Sequence, residues 1–253
     1  MLSARVIPCL LIKNQGIVKT RKFKDPVYVG DPINAVKIFN EKEVDELLLI
    51  DIEATIKGKQ PQFDLLERIS KEAFMPMCYG GGIHSLDDAK KILSSGFEKI
   101  SLNSSTIQNP GLVSQLADIY GSQSIIVSID VKKNIMGQYE VYDYSKGKSL
   151  KKDPFKFVLE VEILGAGEIV LNSVDRDGIM SGYDISLIKK VTDLVNIPVI
   201  AMGGAGSLED LGKAVMLGGA SAAAAGSLFV FQGVHKAVLI TYPERYEIEK
   251  LFI

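Results

Sequence analysis

The sequence predicts a (β/α)8 TIM barrel built from two half-barrel repeats, and three observations carry that prediction. Eight short apolar runs recur along the 253 residues, separated by amphipathic segments. That many strand–helix alternations in a chain of this length suit a closed barrel better than an open doubly wound sheet. Most of the runs are continuously apolar rather than alternating, as in strands covered on both faces. The chain also repeats itself: residues 76–105, PMCYGGGIHSLDDAKKILSSGFEKISLNSS, align without a gap to 198–227, PVIAMGGAGSLEDLGKAVMLGGASAAAAGS, at a constant offset of 122. Pro76 falls on Pro198, Gly81 on Gly203, Gly82 on Gly204, Ser85 on Ser207, Gly96 on Gly218 and Ser105 on Ser227. No Pro/Ser-rich linker interrupts the middle, so one domain over 1–253 is expected, with half-barrels of about 1–120 and 121–253.

The strands are read, in order, from RVIPCLLI, ELLLIDI, FMPMCY, KISLN, SIIVSID, EIVLNS, IPVIAM and ASAAAAG. Helix signals fall between them. Asp31-Pro32 is an N-cap followed by Pro at the first helical position, ahead of Ile33, Val36 and Phe39. Ser85-Leu86-Asp87-Asp88 and Ser207-Leu208-Glu209-Asp210 read as capping-box openings. Gly96, Gly165 and Gly218 are the expected left-handed stops.

Composition narrows the function. With 47% hydrophobic and 24% charged residues the chain can bury enough surface to fold, which excludes disorder. A formal net charge of −2 supplies no global field for a nucleic acid or an anionic membrane. The apolar stretches fall short of the ~20 residues of a membrane span. The start, MLSARVIPCLLIKN, has no signal-cleavage pattern, so a cytoplasmic globular protein is expected. Cys9 and Cys78 sit inside apolar runs and read as buried free thiols of a reducing compartment. Neither they nor any other residues show metal-ligand spacing, and no cofactor is expected. Without G-x-x-x-x-G-K-[ST] or a strand-linked G-x-G-x-x-G, nucleotide-fold readings fail.

A barrel of this kind carries its active site at the C-terminal ends of the strands. Those positions are Leu11, Asp51, Tyr79 to Gly82, Asn103-Ser104, Asp130, Asn172-Ser173, Gly203-Gly204 and Gly226-Ser227. Glycine pairs there let backbone N–H groups approach an anion, so Gly203-Gly204 with Gly226-Ser227 reads as a phosphate site. The repeat places an equivalent site at Gly81-Gly82 with Asn103-Ser104, which implies a ligand with a phosphate at each end; tight turns are the other reading. Asp130 closes an apolar strand and suits a general acid or base, or else a structural carboxylate. Strand 1 offers no second acid, only Leu11; Asp51 is open to either a catalytic or a structural role. Asp175 and Asp177 read as loop-forming, and His84 and His235 as surface polar residues at helix starts. At the opposite end, Arg5, Glu46, Lys99 and Glu168 stand at strand starts with alternating sign. Pointing inward they would form a compensated ring; spacing alone favours four solvated charges.

VIPCL, the GDP helix start, DELLLIDI, GGGI-S-DDA, SIDVK, GAGEI-L-S-DRDG and IPVIA-GGAG together resemble the cyclase subunit (HisF) of imidazole glycerol phosphate synthase, over essentially the whole chain. The resemblance implies a half-barrel-duplicated (β/α)8 protein of histidine biosynthesis. It further implies a glutaminase docked on the N-terminal face and ammonia passing through the barrel to a two-phosphate ribonucleotide. It assigns phosphate contacts to Lys19, Gly82, Asn103, Ser104, Gly204, Gly226 and Ser227, catalysis to Asp130, and an ammonia gate to Arg5, Glu46, Lys99 and Glu168. The family's other catalytic aspartate is replaced by Leu11, in PCLLIKN where the pattern reads PCLDVK; Met202 and Asn172 depart as well. Losing one of two paired carboxylates removes several kcal/mol of transition-state stabilisation. With the basic run Lys19, Arg21, Lys22 and Lys24, this resembles a divergent, WbuZ-like branch that works with a glutaminase and an ATP-dependent sugar amidotransferase. There the barrel is expected to conduct ammonia for amidation of a surface-polysaccharide or nonulosonate sugar. An active cyclase of histidine biosynthesis is the alternative.

Overall fold

The protein is described over residues 4–252 by a computed structural model. Each of the eight apolar runs forms a strand: β1 (Arg5–Lys13), β2 (Leu47–Asp51), β3 (Met77–Gly80), β4 (Lys99–Leu102), β5 (Ile125–Lys133), β6 (Glu168–Ser173), β7 (Val199–Met202) and β8 (Ala222–Ala225). Neighbours pair in parallel all the way round, and β8 returns to β1 with Arg5 opposite Ala222 and Pro8 opposite Ala225. The sheet is therefore closed, with helices between its strands: a (β/α)8 barrel.

Closure explains the unbroken apolar runs, because each strand faces two cores. Inward residues Ile7, Cys9, Leu48, Cys78, Ile126, Val170, Ile200, Ala222 and Ala224 fill the barrel axis. Outward residues such as Val6, Leu10, Leu49, Tyr79, Val127 and Leu171 pack under the helices. Those helices are α1 (Pro32–Glu41), α2 (Phe63–Ser70), α3 (Leu86–Ser94), α4 (Gly111–Tyr120), α5 (Pro154–Ile163), α6 (Ile185–Thr192), α7 (Leu208–Met216) and α8 (Arg245–Leu251). Among the described residues, no helix is long and apolar enough to cross a membrane. Both thiols are buried and free, and burial raises each, Cys9 to about 11, so neither is reactive.

The helix punctuation is local chemistry. Asp31 accepts from the Asn34 N–H with Pro32 at the first position of α1. Ser85 and Ser207 form complete capping boxes with Asp88 and Asp210. One stop differs from expectation: after α7 the left-handed residue is Gly219, at φ +74°, not Gly218. Gly218 is required for another reason, since a β-carbon there would sit 2.4 Å from the Ala214 carbonyl oxygen. His235 also departs from its reading, because the chain beyond β8 turns into a small hairpin, Phe231–Gln232 against Ala237–Val238, and His235 lies in its turn. His84 does precede a helix start and is exposed.

Replacing either cap, Ser85→Ala or Ser207→Ala, is expected to lower unfolding free energy by about 1 kcal/mol in denaturant titrations. A change near zero would show that the boxes do not hold these helix ends.

Candidate functional site

The C-terminal strand ends converge on one cavity. It is lined by Leu11, Asp51, Gly81, Gly82, Asn103, Ser104, Asp130, Asn172, Met202, Gly203, Gly204, Gly226 and Ser227, so almost every residue expected at the mouth reaches it. Tyr79 does not: it points outward and meets Phe97 edge-on, with ring centroids 6.0 Å apart. Ser173 does not line the cavity either.

Asp130 ends the inward row of β5 and is 7% exposed. Its Oδ2 accepts from Asn103 Nδ2 at 2.9 Å and its Oδ1 from Asn172 Nδ2 at 2.8 Å. Burial outweighs these two donors and pushes its carboxyl up to about 6. Asn172 turns its amide nitrogen to the carboxylate, and its own Oδ1 is left buried without a partner. No carboxylate faces Asp130 from β1, where Leu11 stands on the cavity wall. Asp51 is engaged otherwise: it accepts the Glu53 and Ala54 N–H groups at 2.9 and 3.0 Å and Gln62 Nε2 at 3.1 Å, holding the loop after β2. That arrangement favours its structural reading.

A hairpin inserted after β1, Gly16–Arg21 against Lys24–Gly30, folds over the mouth. Asp177 anchors it, accepting from Thr20 Oγ1 at 3.1 Å and from the Phe23 N–H at 3.3 Å, while its carbonyl accepts from the Lys22 N–H at 2.9 Å. Phe23 lies edge-on to Tyr144, 5.1 Å between centroids, and tilted against Tyr142 at 6.1 Å. Asp177 is thus more than loop-forming; it lines the cavity, and burial raises its pKa. Thr20, Phe23 and Tyr144 also line it and carried no motif. DRDG was the available signal for Asp177, but spacing could not say which aspartate turns inward. Asp175 turns out instead, accepting from the Lys133 N–H at 2.8 Å.

The hairpin also delivers Lys19. Its side chain is almost fully buried and Nζ donates to the Cys9 carbonyl oxygen. Burial pulls its pKa down. A β-carbon at position 226 would collide with Nζ, so Gly226 makes room for the ammonium. Among the described residues no three His, Cys, Asp or Glu side chains group in a way that could hold a metal ion.

At the other end of the axis the strand-start charges are paired, not solvated. Arg5 meets Glu46 at 2.5 Å and Glu168 at 3.1 Å, and Lys99 meets both carboxylates at 3.1 Å. With Glu46 4% exposed and Lys99 16%, the pore removes the water that would screen them, and the four close into a ring.

Comparison with known proteins gives this geometry a family. The profile of the histidine biosynthesis protein family matches residues 5–235. A protein of Leptospira borgpetersenii, provisionally named imidazole glycerol phosphate synthase subunit HisF, is 51% identical over 253 residues, all of both chains. The chain belongs to the HisF family. A Pseudomonas aeruginosa member, provisionally named subunit HisF2 of the same synthase, is 50% identical over 96% of this chain and 97% of its own. One from Alkaliphilus metalliredigens, named imidazole glycerol phosphate synthase subunit HisF without qualification, is 39% identical over 92% of this chain and 93% of its own. In this HisF-like barrel Lys19, Gly82, Asn103, Ser104, Asp130, Gly204, Gly226 and Ser227 line the cavity at the mouth, and Arg5, Glu46, Lys99 and Glu168 form the axial ring.

Two outcomes follow. Asp130 in the fold ionises near pH 6, against 3.8 for an ordinary aspartate, so its protonated form is the one the fold favours. Its contribution is present at low pH and is lost as pH rises from about 4 to 6, by about 2–3 kcal/mol. Asp130→Asn, neutral throughout, is therefore expected to gain stability relative to the parent across that window and no further above it, measured by urea unfolding at a series of pH values. Glu46→Gln leaves the two ring cations short of charge and is expected to lower stability by about 3 kcal/mol; a loss below 1 kcal/mol would mean the ring is effectively solvated.

Proposed function

We propose that this chain is the barrel subunit of a glutamine-dependent amidotransferase system. It receives ammonia from a glutaminase on the N-terminal face and conducts it along the axis to the mouth. The nitrogen then serves an ATP-dependent amidotransferase that modifies a surface-polysaccharide or nonulosonate sugar. The observation that carries this reading is the pairing of an intact axial ring with a mouth that holds Leu11 where a second acid would stand. A leucine neither donates nor accepts a proton, so ring-closing acid–base chemistry on two sides of a substrate has one carboxylate, Asp130, to work with.

Other features support it. The axis between ring and mouth is lined by Ile7, Cys9, Leu48, Cys78, Ile126, Val170 and Ala222, an apolar path that suits uncharged ammonia and disfavours ammonium. Around the ring, the helix ends and turns that lead into the strands leave Phe74 and Ile163 exposed by 90% and 85%, with Met216 and Leu217 also exposed. Large apolar side chains so placed suit a docked protein. A second reading, an active cyclase of histidine biosynthesis, is favoured by Asp130, Asn103 and Lys19 standing together at the mouth and by the synthase names of the relatives.

Ammonium salt supplied with the cyclase family's ribonucleotide substrate separates the two without any glutaminase. The conduit reading expects no turnover, and Leu11→Asp restores it by about 10²–10⁴-fold if only the acid was lost. Robust turnover by the unaltered chain would install the cyclase reading instead. In a reconstituted complex, Lys99→Met is expected to depress glutamine-driven amidation and leave ammonium-driven amidation unchanged.

A further inference from the structure

The basic run after β1 is divided by the fold. Lys19 turns into the cavity, whereas Arg21, Lys22 and Lys24 stay exposed at the outer turn of the lid hairpin. Between residues 16 and 30 a single acid, Asp25, stands against these four bases. The neighbouring carboxylates are already engaged: Glu53 pairs with Lys13 and Lys57, Asp143 with Lys146, and Asp184 with Lys133. Among the described residues, Arg21, Lys22 and Lys24 have no carboxylate within ion-pair distance. The chain as a whole carries −2, so this positive charge is a local concentration.

A second hairpin continues the patch. β5 runs beyond the barrel and turns back, with Val131 opposite Val141 and Lys133 opposite Tyr139. Phe23, between Lys22 and Lys24, packs on Tyr142 and Tyr144 of this hairpin, so the two hairpins meet over the mouth. Lys132 Nζ lies over the same Tyr142 ring, 5.3 Å from its centroid, which brings a further cation to the junction. Both hairpins also turn large apolar side chains to water: Val27 and Tyr28 on the first, and Ile135 and Met136 at the tip of the second, Tyr28 by 66% and Met136 by 75%. Covering the cavity uses the inner faces, through Phe23 and Tyr144. It gives no reason for four outward apolar groups among unpaired cations.

We propose that the outer face of these two hairpins docks an acidic protein surface, that of the enzyme which consumes the nitrogen leaving the mouth. Lys22, Lys24 and Lys132 meet its carboxylates, and Tyr28, Ile135 and Met136 supply the apolar contact, the mixed chemistry of a protein interface. The choice of partner rests on the conduit reading. Ammonia released from the mouth into neutral water is protonated and lost as a nucleophile, so its consumer has to cover the opening. Nucleic acid would use the cations and leave the apolar groups wet, and an anionic membrane on this face would close the mouth against the acceptor.

Binding of the purified amidotransferase to the barrel–glutaminase complex, measured by biolayer interferometry, tests it. The double variant Lys22→Glu, Lys24→Glu weakens binding by at least about tenfold, and so does Met136→Asp on the other hairpin. Raising the salt concentration weakens binding of the unaltered complex. Lys90→Glu, an exposed lysine of α3, leaves it unchanged. Glutaminase binding, at the opposite end of the barrel, is the same in all variants and shows that they fold. No binding of the amidotransferase, binding indifferent to both hairpin changes, or an equal loss with Lys90→Glu each overturns the proposal. So does sedimentation showing that the chain dimerises through this face, or attachment to phosphatidylserine vesicles that the same variants abolish. The conduit reading is scored separately: Lys99→Met leaving glutamine-driven amidation intact would end that reading, while the binding data would still show whether the hairpins dock this protein.

Discussion

A closed barrel makes its axis a low-dielectric column, and every charge that enters it must be met there. At the bottom, two cations and two carboxylates meet that demand among themselves, each of Arg5 and Lys99 touching both Glu46 and Glu168. At the top the demand is met differently. Asp130 has no cation beside it and is held by two neutral amides, a weaker compensation that leaves its carboxyl near 6. Among the described residues, Lys19 donates to a carbonyl oxygen and has no carboxylate within ion-pair distance. The bottom of the axis is electrostatically complete and the top is not, so the top is where a ligand has something to supply.

The lid follows from the same constraint. Lys19 could not stay buried on an open, solvated loop, and burying it depends on the hairpin that Asp177 and the Tyr142–Tyr144 aromatics hold down. Asp177 is itself largely desolvated, so its grip depends on charge as well as geometry. The position of Lys19, the one lysine or arginine among the described residues that line the mouth, and the closure of the mouth are thereby one structural event.

Much of this was legible because closure writes itself into sequence. Strands with two apolar faces show as unbroken runs, and caps at Asp31, Ser85 and Ser207 show as short polar motifs, since both are set by neighbours along the chain. What spacing could not give was direction across space. Spacing alone favours solvated ring charges, and only the closed axis makes them pair. Tyr79 sits beside the glycines of the mouth yet turns outward, because strand residues alternate and Gly80 follows it on the other face. Asp175 and Asp177 are indistinguishable as text; the lid selects the second. Gly218 and Gly219 are likewise adjacent, and the helix end uses one for handedness and the other for close approach.

The three departures from the family pattern, Leu11, Asn172 and Met202, are best understood as one unit and not as separate losses. Asn172 lies opposite both Asp130 and Met202 in the parallel register, and Leu11 closes the same layer beside Ile50. With Leu11 on β1, no carboxylate on that strand repels Asp130. The Asn172 amide on β6 donates to Asp130, and Leu11, Ile50 and Met202 make the wall around it apolar. A mouth built this way holds Asp130 oriented by two amides, Asn103 and Asn172, with no acid opposite it on β1.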